Sequence, residues 1–205
     1  MRSARRRQMI ANAAKTIFAS KGYRAATMDD ISKACGIAHR TLYLHFKNKQ
    51  EIFHTLMLDI LDQIQALMEP ARPDDLDHSA SNRDAWFSIT KERNLRIFQS
   101  VLRDRDLFRI ILREAPGLDS EVDAVLERIN SVMLRQIETE LIIAQRMGLH
   151  KRTDTKLAAQ MVLGTMLVVI VVELLQGSPS DLESLAERVT EVQQFGTCGK
   201  PATAP

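Results

Sequence analysis

The 205-residue chain is predicted to be all-α, with a small N-terminal helix-turn-helix domain followed by a larger helical domain. Apolar residues recur at helical spacing through most of the chain. No segment shows the alternation of apolar and polar residues that marks a half-buried strand, and no internal repeat is present. Residues 27–49 read as two short helices joined by a tight turn, which is the layout of a helix-turn-helix.

The first helix is expected from about residue 5 to residue 21. One face of this segment carries regularly spaced apolar side chains, which would pack against the rest of the N-terminal domain. These inward side chains are Ile10, Ala13, Ala14, Ile17 and Phe18.

The second helix is expected to begin after Thr27, which is a good N-cap residue and has Asp30 three residues later. That spacing predicts a capping box. Ile31 and Ala34 would then face inward. Gly36 tolerates the left-handed backbone that ends a helix, so it should form the turn.

The third helix is expected over residues 38–46, with Leu42 and Phe46 facing the core because they lie four residues apart. An outward surface rich in histidine, arginine and tyrosine is poorly explained by folding. It is well explained by contacts to bases and phosphates, which indicates DNA binding. The outward side chains are His39, Arg40, Tyr43 and Leu44.

The residues GIAHRTLYLHFKNK, from Gly36 to Lys49, resemble the signature of the TetR family of transcriptional regulators. IFASKGY at residues 17–23 and TMDDI at residues 27–31 also match the N-terminal domain of that family. The resemblance covers about residues 8–56 and implies a DNA-binding domain over residues 1–48. The remainder is similar only in its helical layout. Cys35 departs from the family, which usually has a small residue such as alanine there; cysteine packs as a small hydrophobe.

By this resemblance, the first part of the third helix reads bases, so His39 and Arg40 are the first base-reading candidates and Leu44 is the next. Arginine to guanine is the commonest specific contact. Arg40 could instead form a surface salt bridge, and His45 could be a surface residue with local hydrogen bonds. The positions that match phosphate contacts in the family are Thr27, Tyr43, His45 and Lys49.

Charge is distributed unevenly along the chain. Residues 1–50 hold 11 Lys or Arg against 2 Asp or Glu, a balance of +9, whereas the other 155 residues hold 17 against 24, a balance of −7. This asymmetry indicates a basic nucleic-acid-binding end on an acidic body. The arginines at positions 2, 5, 6 and 7 could form an arm along the DNA, although a frayed, solvated end is slightly favoured.

Residues 49–195 are expected to form a helical regulatory and dimerisation domain. Asn48 should cap its first helix, with Glu51 three residues further on. A loop is expected over residues 70–82, and residues 196–205 are expected to be a disordered tail. The helices expected in this part of the chain span about residues 49–68, 84–102, 104–114, 120–147 and 154–176, followed by a last helix after Asp181.

The segment 154–176 is apolar all round, which predicts burial on every side. One side can meet its own subunit, and the simplest partner for the other side is a second copy. The resemblance implies an interface formed with the last helix, and a two-fold dimer suits a helix-turn-helix that reads two half-sites. The alternative is the central helix of a monomer. The stripe proposed for the interface is Leu157, Met161, Gly164 and Val168.

The resemblance also implies a small-molecule pocket enclosed by the central helices of the C-terminal domain. A pocket of methionine and aliphatic side chains would suit a hydrophobic ligand. Each apolar candidate could equally be plain core, and the acidic candidate could cross the dimer interface or face water. The candidates for its lining are Trp86, Phe87, Phe98, Phe108, Met133, Met166 and Glu173.

Nothing in the sequence indicates catalysis, a metal site or a cofactor. The histidines lack metal-ligand spacing, and no nucleophile-elbow, Walker A or dinucleotide glycine pattern is present. Cys35 and Cys198 form no disulfide framework, which together with the absence of a secretory signal indicates the cytoplasm. The apolar run over residues 161–172 is too short to span a membrane.

We therefore expect a DNA-binding transcriptional regulator, most simply a homodimeric repressor that a small hydrophobic ligand releases from a palindromic operator. One alternative is a DNA-binding regulator or architectural protein without a small-molecule effector, which a solid C-terminal core would favour. Another is an enzyme or a protein-interaction module that keeps a vestigial helix-turn-helix. Failure to bind any DNA at low salt would favour that last reading.

Overall fold

The computed structural model describes residues 2–68, 82–177 and 181–196, and all regular elements in these ranges are helical. The predicted all-α class is therefore confirmed. The predicted loop (except its last residue, Asn82), the residues just before Asp181, and the predicted tail (except Gly196) lie outside the described residues. The elements are α1 (Arg2–Lys21), α2 (Met28–Cys35), α3 (His39–Tyr43), α4 (Lys49–Leu67), α5 (Asn82–Arg103), α6 (Arg105–Glu114), α7 (Ser120–Arg146), α8 (Thr155–Val169), a π-helical continuation of α8 (Ile170–Gln176), and α9 (Leu182–Phe195).

The chain divides into two compact units that do not follow the predicted boundary between residues 48 and 49. The first unit is Met1–Ile64 with Asp104–Ile129, and the second is Gln65–Arg103 with Asn130–Pro205. Most of α4 belongs to the first unit, where its Phe53 ring packs against Phe18 of α1, and α6 joins that unit because it packs on α1. The assignment of residues 1–48 to DNA binding and of residues 49–195 to regulation stays a prediction.

An aromatic cluster forms the centre of the first unit. The Phe18 ring lies 5.3 Å from the Tyr23 ring and 5.9 Å from the Phe53 ring, and the last two rings are 4.9 Å apart. Such pairs add roughly 0.5–1.5 kcal/mol each beyond the burial of their area. Within the predicted α1 stripe, Ile10, Ala14 and Phe18 are buried, whereas Ala13 and Ile17 are half-buried. The cluster holds α1, the loop after it and α4 in one core.

In the second unit, buried polar groups join α5 to its neighbours. The Asn94 side chain donates hydrogen bonds of 2.9 Å to Thr190 Oγ1 and to Gln193 Oε1 on α9. Arg93, one residue earlier, pairs with Glu140 on α7. Buried polar groups are costly unless they are paired, so these contacts favour one register of α5 against α9 and α7.

Within the single chain the α8 helix is buried on one side only, and the cover of its other side by a second copy stays a prediction. Leu163 and Met166 face the core, but Leu157 is 54%, Met161 66% and Val168 62% exposed. With its π-helical continuation it spans 22 residues, and by length and composition alone this is the helix, among the described residues, that could cross a membrane. The apolar run over residues 161–172, judged too short from sequence to span a membrane, lies inside this helix, whose predicted span was 154–176.

The π-helical continuation ends at Gly177, whose N–H donates to the Val172 carbonyl at 2.9 Å. A Cβ atom at this position would lie 2.6 Å from the Glu173 carbonyl oxygen, a distance that side chains do not tolerate. The wider turn places Leu174 and Leu175 inward together and leaves Glu173 exposed. A glycine is therefore required where this helix ends.

Candidate nucleic-acid interface

The N-terminus of α2 is closed by the predicted capping box. Thr27 Oγ1 accepts a hydrogen bond from the Asp30 backbone N–H at 3.1 Å, and the Asp30 carboxylate accepts one from the Thr27 backbone N–H at 3.1 Å. The same carboxylate also pairs with Lys21 at the end of α1. These contacts hold the pKa of Asp30 at about 2, chiefly through Lys21 and then through Thr27. The start of α2 is thus tied to the end of α1.

The turn of the helix-turn-helix lies at Gly36, as predicted. Gly36 has φ of 63° and ψ of 33°, a left-handed conformation that favours glycine. Its N–H donates to the Lys33 carbonyl, and the Ile37 N–H donates to the Ser32 carbonyl, both at 3.1 Å. Cys35 just before the turn is half-buried, and this burial raises the pKa of its thiol. The thiol therefore stays protonated and acts as a packing group.

Helix α3 is shorter than predicted, spanning His39–Tyr43 instead of residues 38–46. Its last turn tightens, because the His45 N–H donates to the Leu42 carbonyl three residues back at 2.9 Å. Leu42 and Phe46 are buried, which confirms their predicted inward direction. Ala34, predicted to face inward from α2, is exposed instead. On so short a helix the buried Ile31 and Ser32 already fill the inner face.

The outward side chains of α3 are displayed to solvent as predicted. His39, Arg40, Tyr43 and Leu44 are all exposed. The His39 and Tyr43 rings meet edge to face, with centroids 4.9 Å apart. This contact restricts both side chains before any partner arrives. The exposed Tyr43 on this five-residue helix and the exposed Leu44 just after it offer apolar contact beside the donors of His39 and Arg40, which suits a base-edge surface.

Arg7 is built into the fold rather than forming part of a frayed arm. Helix α1 begins at Arg2, so the N-terminal end that was expected to be frayed is helical from that residue. The Arg7 guanidinium donates to the His45 carbonyl and, at 3.3–3.4 Å, to the Glu51 carboxylate. It also lies over the Phe46 ring. Arg7 thereby fixes the segment between α3 and α4 through His45 and Phe46. The neighbouring Arg5 and Arg6 are exposed.

The start of α4 carries the predicted cap. Asn48 Oδ1 accepts a hydrogen bond from the Glu51 N–H at 2.8 Å, and the Glu51 carboxylate accepts one from the Lys47 N–H at 2.7 Å. Lys49, predicted to touch a phosphate, instead points back into the domain. Its ammonium donates to the carbonyls of Tyr23, Arg24 and Ala26. Sequence reasoning missed this contact, because the acceptors lie more than twenty residues away along the chain.

The predicted phosphate contacts therefore have different surroundings. The Thr27 hydroxyl is exposed but takes part in the capping box. Tyr43 is exposed, and His45 is half-buried with its carbonyl on Arg7. Another residue that sequence reasoning missed is Glu114 of α6, which accepts a hydrogen bond from the Tyr23 N–H at 2.7 Å. No local sequence pattern points to a contact between residues 91 positions apart.

The candidates for a ligand pocket fall in both compact units. Phe108 lies in the first unit and is half-buried, whereas the other candidates lie in the second. Phe98 and Met166 are buried, and Trp86, Phe87 and Met133 are half-buried. The Phe87 ring stacks on the Phe195 ring with centroids 6.4 Å apart. Glu173 is exposed on the outer side of its helix, where solvent or a second chain would meet it. Among the described residues, no group of three or more His, Cys, Asp or Glu side chains could hold a metal ion.

Comparison with known proteins adds to this geometry. The family profile described as bacterial regulatory proteins, tetR family, matches residues 10–56, which contain α2, the turn and α3. An HTH-type transcriptional regulator of Bacillus subtilis, YhgD, is 27% identical over 88% of this chain and 91% of its own length. Residues 10–56 therefore match the tetR family, and the relatives that are similar over most of the chain are transcriptional regulators, not enzymes.

Further relatives are similar to this chain over most of its length. The fatty acid metabolism regulator protein of Bacillus subtilis is 25% identical over 93% of this chain and 95% of its own length. The crystal structure of FadR from Bacillus subtilis in complex with stearoyl-CoA superposes with a TM-score of 0.72 and 25% identity, over 92% of this chain and 98% of that one. FadR from Bacillus halodurans has the same fold, with a TM-score of 0.73 at 21% identity.

Proposed function

We propose that this tetR-family regulator is a homodimeric repressor that binds a palindromic operator and leaves it when a long-chain acyl-CoA binds. The observation that carries the DNA part is the face of α3. His39 and Arg40 project from α3 and Leu44 projects just after it, while buried Leu42 and Phe46 anchor the opposite side of this segment. Side chains displayed on so rigid a support can read base edges in the major groove. Thr27, Tyr43 and His45 are proposed to contact phosphates beside it.

The homodimer is supported by the exposed apolar stripe of α8. Leu157 and Met161 lie one helical turn apart, Val168 lies two turns further on, and each is more than half exposed. Val172 continues this stripe, and Val192 of α9 is a further exposed apolar side chain. A contiguous apolar surface of this kind on a regulator marks an interaction site. We assign it to a second copy, because two helix-turn-helix units can then read two half-sites of a palindrome.

The proposed effector class follows from the relatives. The structure of the Bacillus subtilis FadR holds stearoyl-CoA, and a relative over nearly the full chain is a fatty acid metabolism regulator. The second unit of this chain offers buried and half-buried Phe98, Met133 and Met166, which suit an acyl chain. A regulator of this kind acts where the chromosome lies, so we propose a cytoplasmic location.

The test is selection of bound duplexes from a random DNA pool, followed by release with defined ligands. We expect a palindrome to be enriched, and stearoyl-CoA to release it at concentrations where coenzyme A alone and stearate alone do not. Because linkage is reciprocal, operator DNA should weaken stearoyl-CoA binding by the same factor. Enrichment of a palindrome without release by any acyl-CoA would reject the effector. If the protein binds all DNA sequences alike and this binding weakens as the salt concentration rises, the proposal of a specific operator is wrong.

A further inference from the structure

The loop Gly22–Ala26 joins α1 to α2, and two side chains of opposite charge hold its backbone. The Lys49 ammonium donates to the Tyr23 carbonyl at 2.8 Å and to the Arg24 and Ala26 carbonyls at 2.9 Å each. The Glu114 carboxylate accepts the Tyr23 N–H at 2.7 Å. The Lys49 ammonium therefore binds carbonyl groups of the loop, and the Glu114 carboxylate binds an N–H group of the loop.

Lys49 has no ammonium hydrogen left over in this arrangement. A lysine carries three N–H donors, and three carbonyls receive them. The ammonium also lies 4.8 Å from the centre of the Tyr23 ring, where a cation is attracted to the aromatic face. Contact with a DNA phosphate would require Lys49 to give up at least one of these carbonyls. The side chain is half-buried and directed into the fold.

Glu114 approaches the loop so closely that it constrains the residue at position 22. Gly22 has φ of +79°, a conformation that L side chains rarely adopt, and an added Cβ would lie 3.2 Å from Glu114 Oε1. The loop also uses its own backbone, since the Ala26 N–H donates to the Gly22 carbonyl at 3.2 Å. Lys49, Glu114 and this internal bond together define the path of the loop.

The loop ends at the residue that starts α2. Ala26 is buried and held by Lys49, and Thr27 follows as the N-cap of α2. A helix N-terminus carries unpaired backbone N–H groups, and these are available to a phosphate only if the helix start is correctly placed. A shift of the loop would move this end of α2, and with it the turn and α3.

We propose that Lys49 and Glu114 are positioning residues for DNA recognition: they fix the loop Gly22–Ala26 and hence the start of α2, and neither side chain contacts the DNA. The proposal rests on the DNA contact surface proposed above. It assigns Lys49 a role inside the domain, although the sequence suggested a phosphate contact. It also means that Glu114 favours DNA binding although it is an anion, because it fixes the position of the loop.

Glu114→Ala removes both a negative charge and a hydrogen-bond acceptor, and these two losses should change DNA affinity in opposite directions. Removal of an anion from a DNA-binding unit should strengthen DNA binding if only charge matters. Loss of the Tyr23 N–H acceptor should weaken it if the loop position matters. We expect operator affinity to fall roughly three- to tenfold, as the loss of a hydrogen bond to a charged group permits. Glu114→Gln keeps an acceptor oxygen and should stay within about twofold of the wild type.

The matched control is Glu127→Ala, which removes an exposed carboxylate from the same compact unit. We expect operator affinity to be unchanged or slightly increased in this variant. If Glu114→Ala binds as tightly as Glu127→Ala, the positioning role of Glu114 is wrong. Thermal unfolding of each variant separates a local change in the loop from loss of the fold, and Glu114→Gln keeps the comparison valid if the alanine variant unfolds.

Lys49→Met is examined by amide hydrogen exchange without DNA and by the salt dependence of operator binding. A positioning role predicts faster exchange at Tyr23 and Ala26 in the DNA-free protein, beyond any change in distant amides. A direct phosphate contact predicts unchanged exchange and a log–log salt slope that falls by about 0.9. The second pattern would overturn the assignment of Lys49. If wild-type protein enriches no operator, the proposed function itself fails, whereas tight wild-type binding with unaffected variants rejects only the present inference.

Discussion

The Arg7 guanidinium lies 4.0 Å from the centre of the Phe46 ring, and it donates to the carbonyl of His45, the preceding residue. An arginine from the start of α1 thus supports the segment that leaves α3. In a basic N-terminal region such a residue would ordinarily be assigned to DNA. Here the Arg7 guanidinium contacts the protein's own backbone and the Phe46 ring. The neighbouring Arg5 and Arg6 are exposed and remain available to a polyanion.

Arg7→Ala should lower the free energy of unfolding by about 1 kcal/mol. A buried hydrogen bond to a charged group contributes more, but solvent screens this partly exposed side chain. Arg6→Ala is the matched control, and we expect it to change stability by less than about 0.5 kcal/mol. Urea unfolding of both variants measures the difference. Equal stability of the two would show that the contacts of Arg7 add nothing.

Arg40→Ala should remove discrimination at one base pair of each half-site. Arg40 is exposed on α3, and a bidentate contact from arginine to guanine is worth roughly 1–3 kcal/mol. Binding to a panel of single-substituted operators measures this loss. A uniform decrease across all duplexes, specific and random alike, would identify Arg40 as a backbone contact instead.

Gly164→Glu should dissociate the proposed dimer without disturbing the subunit. Gly164 is exposed on α8, and an added Cβ meets nothing within 4 Å in the chain, so the side chain fits the isolated subunit. At a close helix–helix contact between copies the same carboxylate would be buried and unpaired. Sedimentation velocity gives the assembly state, and circular dichroism gives the fold. Gly164→Ala is the control for size without charge. A variant that sediments as the wild-type dimer would place the interface elsewhere.

Acid should weaken the start of α2 in a defined pH range. The pKa of Asp30 is lowered from 3.8 to about 2, first by its hydrogen bond to Lys21 and then by that to Thr27. Because the folded-state pKa is depressed, the contribution of Asp30 to stability is complete above about pH 4 and is lost as the pH falls towards 2. Asp30→Asn should flatten the pH dependence of unfolding in that range. Glu127→Gln, at an exposed carboxylate of the same compact unit, is the control, and equal curves for both variants would refute this role of Asp30.

Gly22→Ala should destabilise the protein more than Gly117→Ala. Both glycines have positive φ, +79° and +72°, so each substitution carries a backbone cost of roughly 1–2 kcal/mol. Only at Gly22 does the new methyl group meet a neighbour, the Glu114 carboxylate oxygen at 3.2 Å. The difference between the two unfolding free energies measures that crowding. It should shrink in the Glu114→Ala background, and a constant difference would mean that crowding by Glu114 is not its cause.

Local sequence patterns predicted most of the helices and their ends. The capping box of Thr27 and Asp30, the glycine turn at Gly36 and the cap at Asn48 depend on residues within four positions of each other. Spacing alone also predicted that Leu42 and Phe46 face inward and that His39 and Arg40 face outward. These features were predictable because backbone geometry fixes the direction of a side chain within one or two helical turns.

Features that depend on distant parts of the chain could not be predicted from local sequence spacing. The exposure of Ala34 follows from how α2 is oriented in its unit, and the exposure of Glu173 follows from the wider π-helical turn. The span of α8 with its continuation was predicted correctly at residues 154–176, but its π-helical last part was not predicted. Periodicity describes one helix at a time and does not specify which neighbours cover it.

The sequence by itself determined the all-α fold class, the helix-turn-helix and its resemblance to the tetR family, because local spacing and a contiguous motif encode them. Only the tertiary structure decided what individual charges do. Lys49 meets carbonyls 23 to 26 residues earlier, Arg7 meets a carbonyl 38 residues later, and Glu114 meets an N–H 91 residues earlier. A charged side chain has no inherent partner, so its role depends on which backbone groups the fold brings within reach of it.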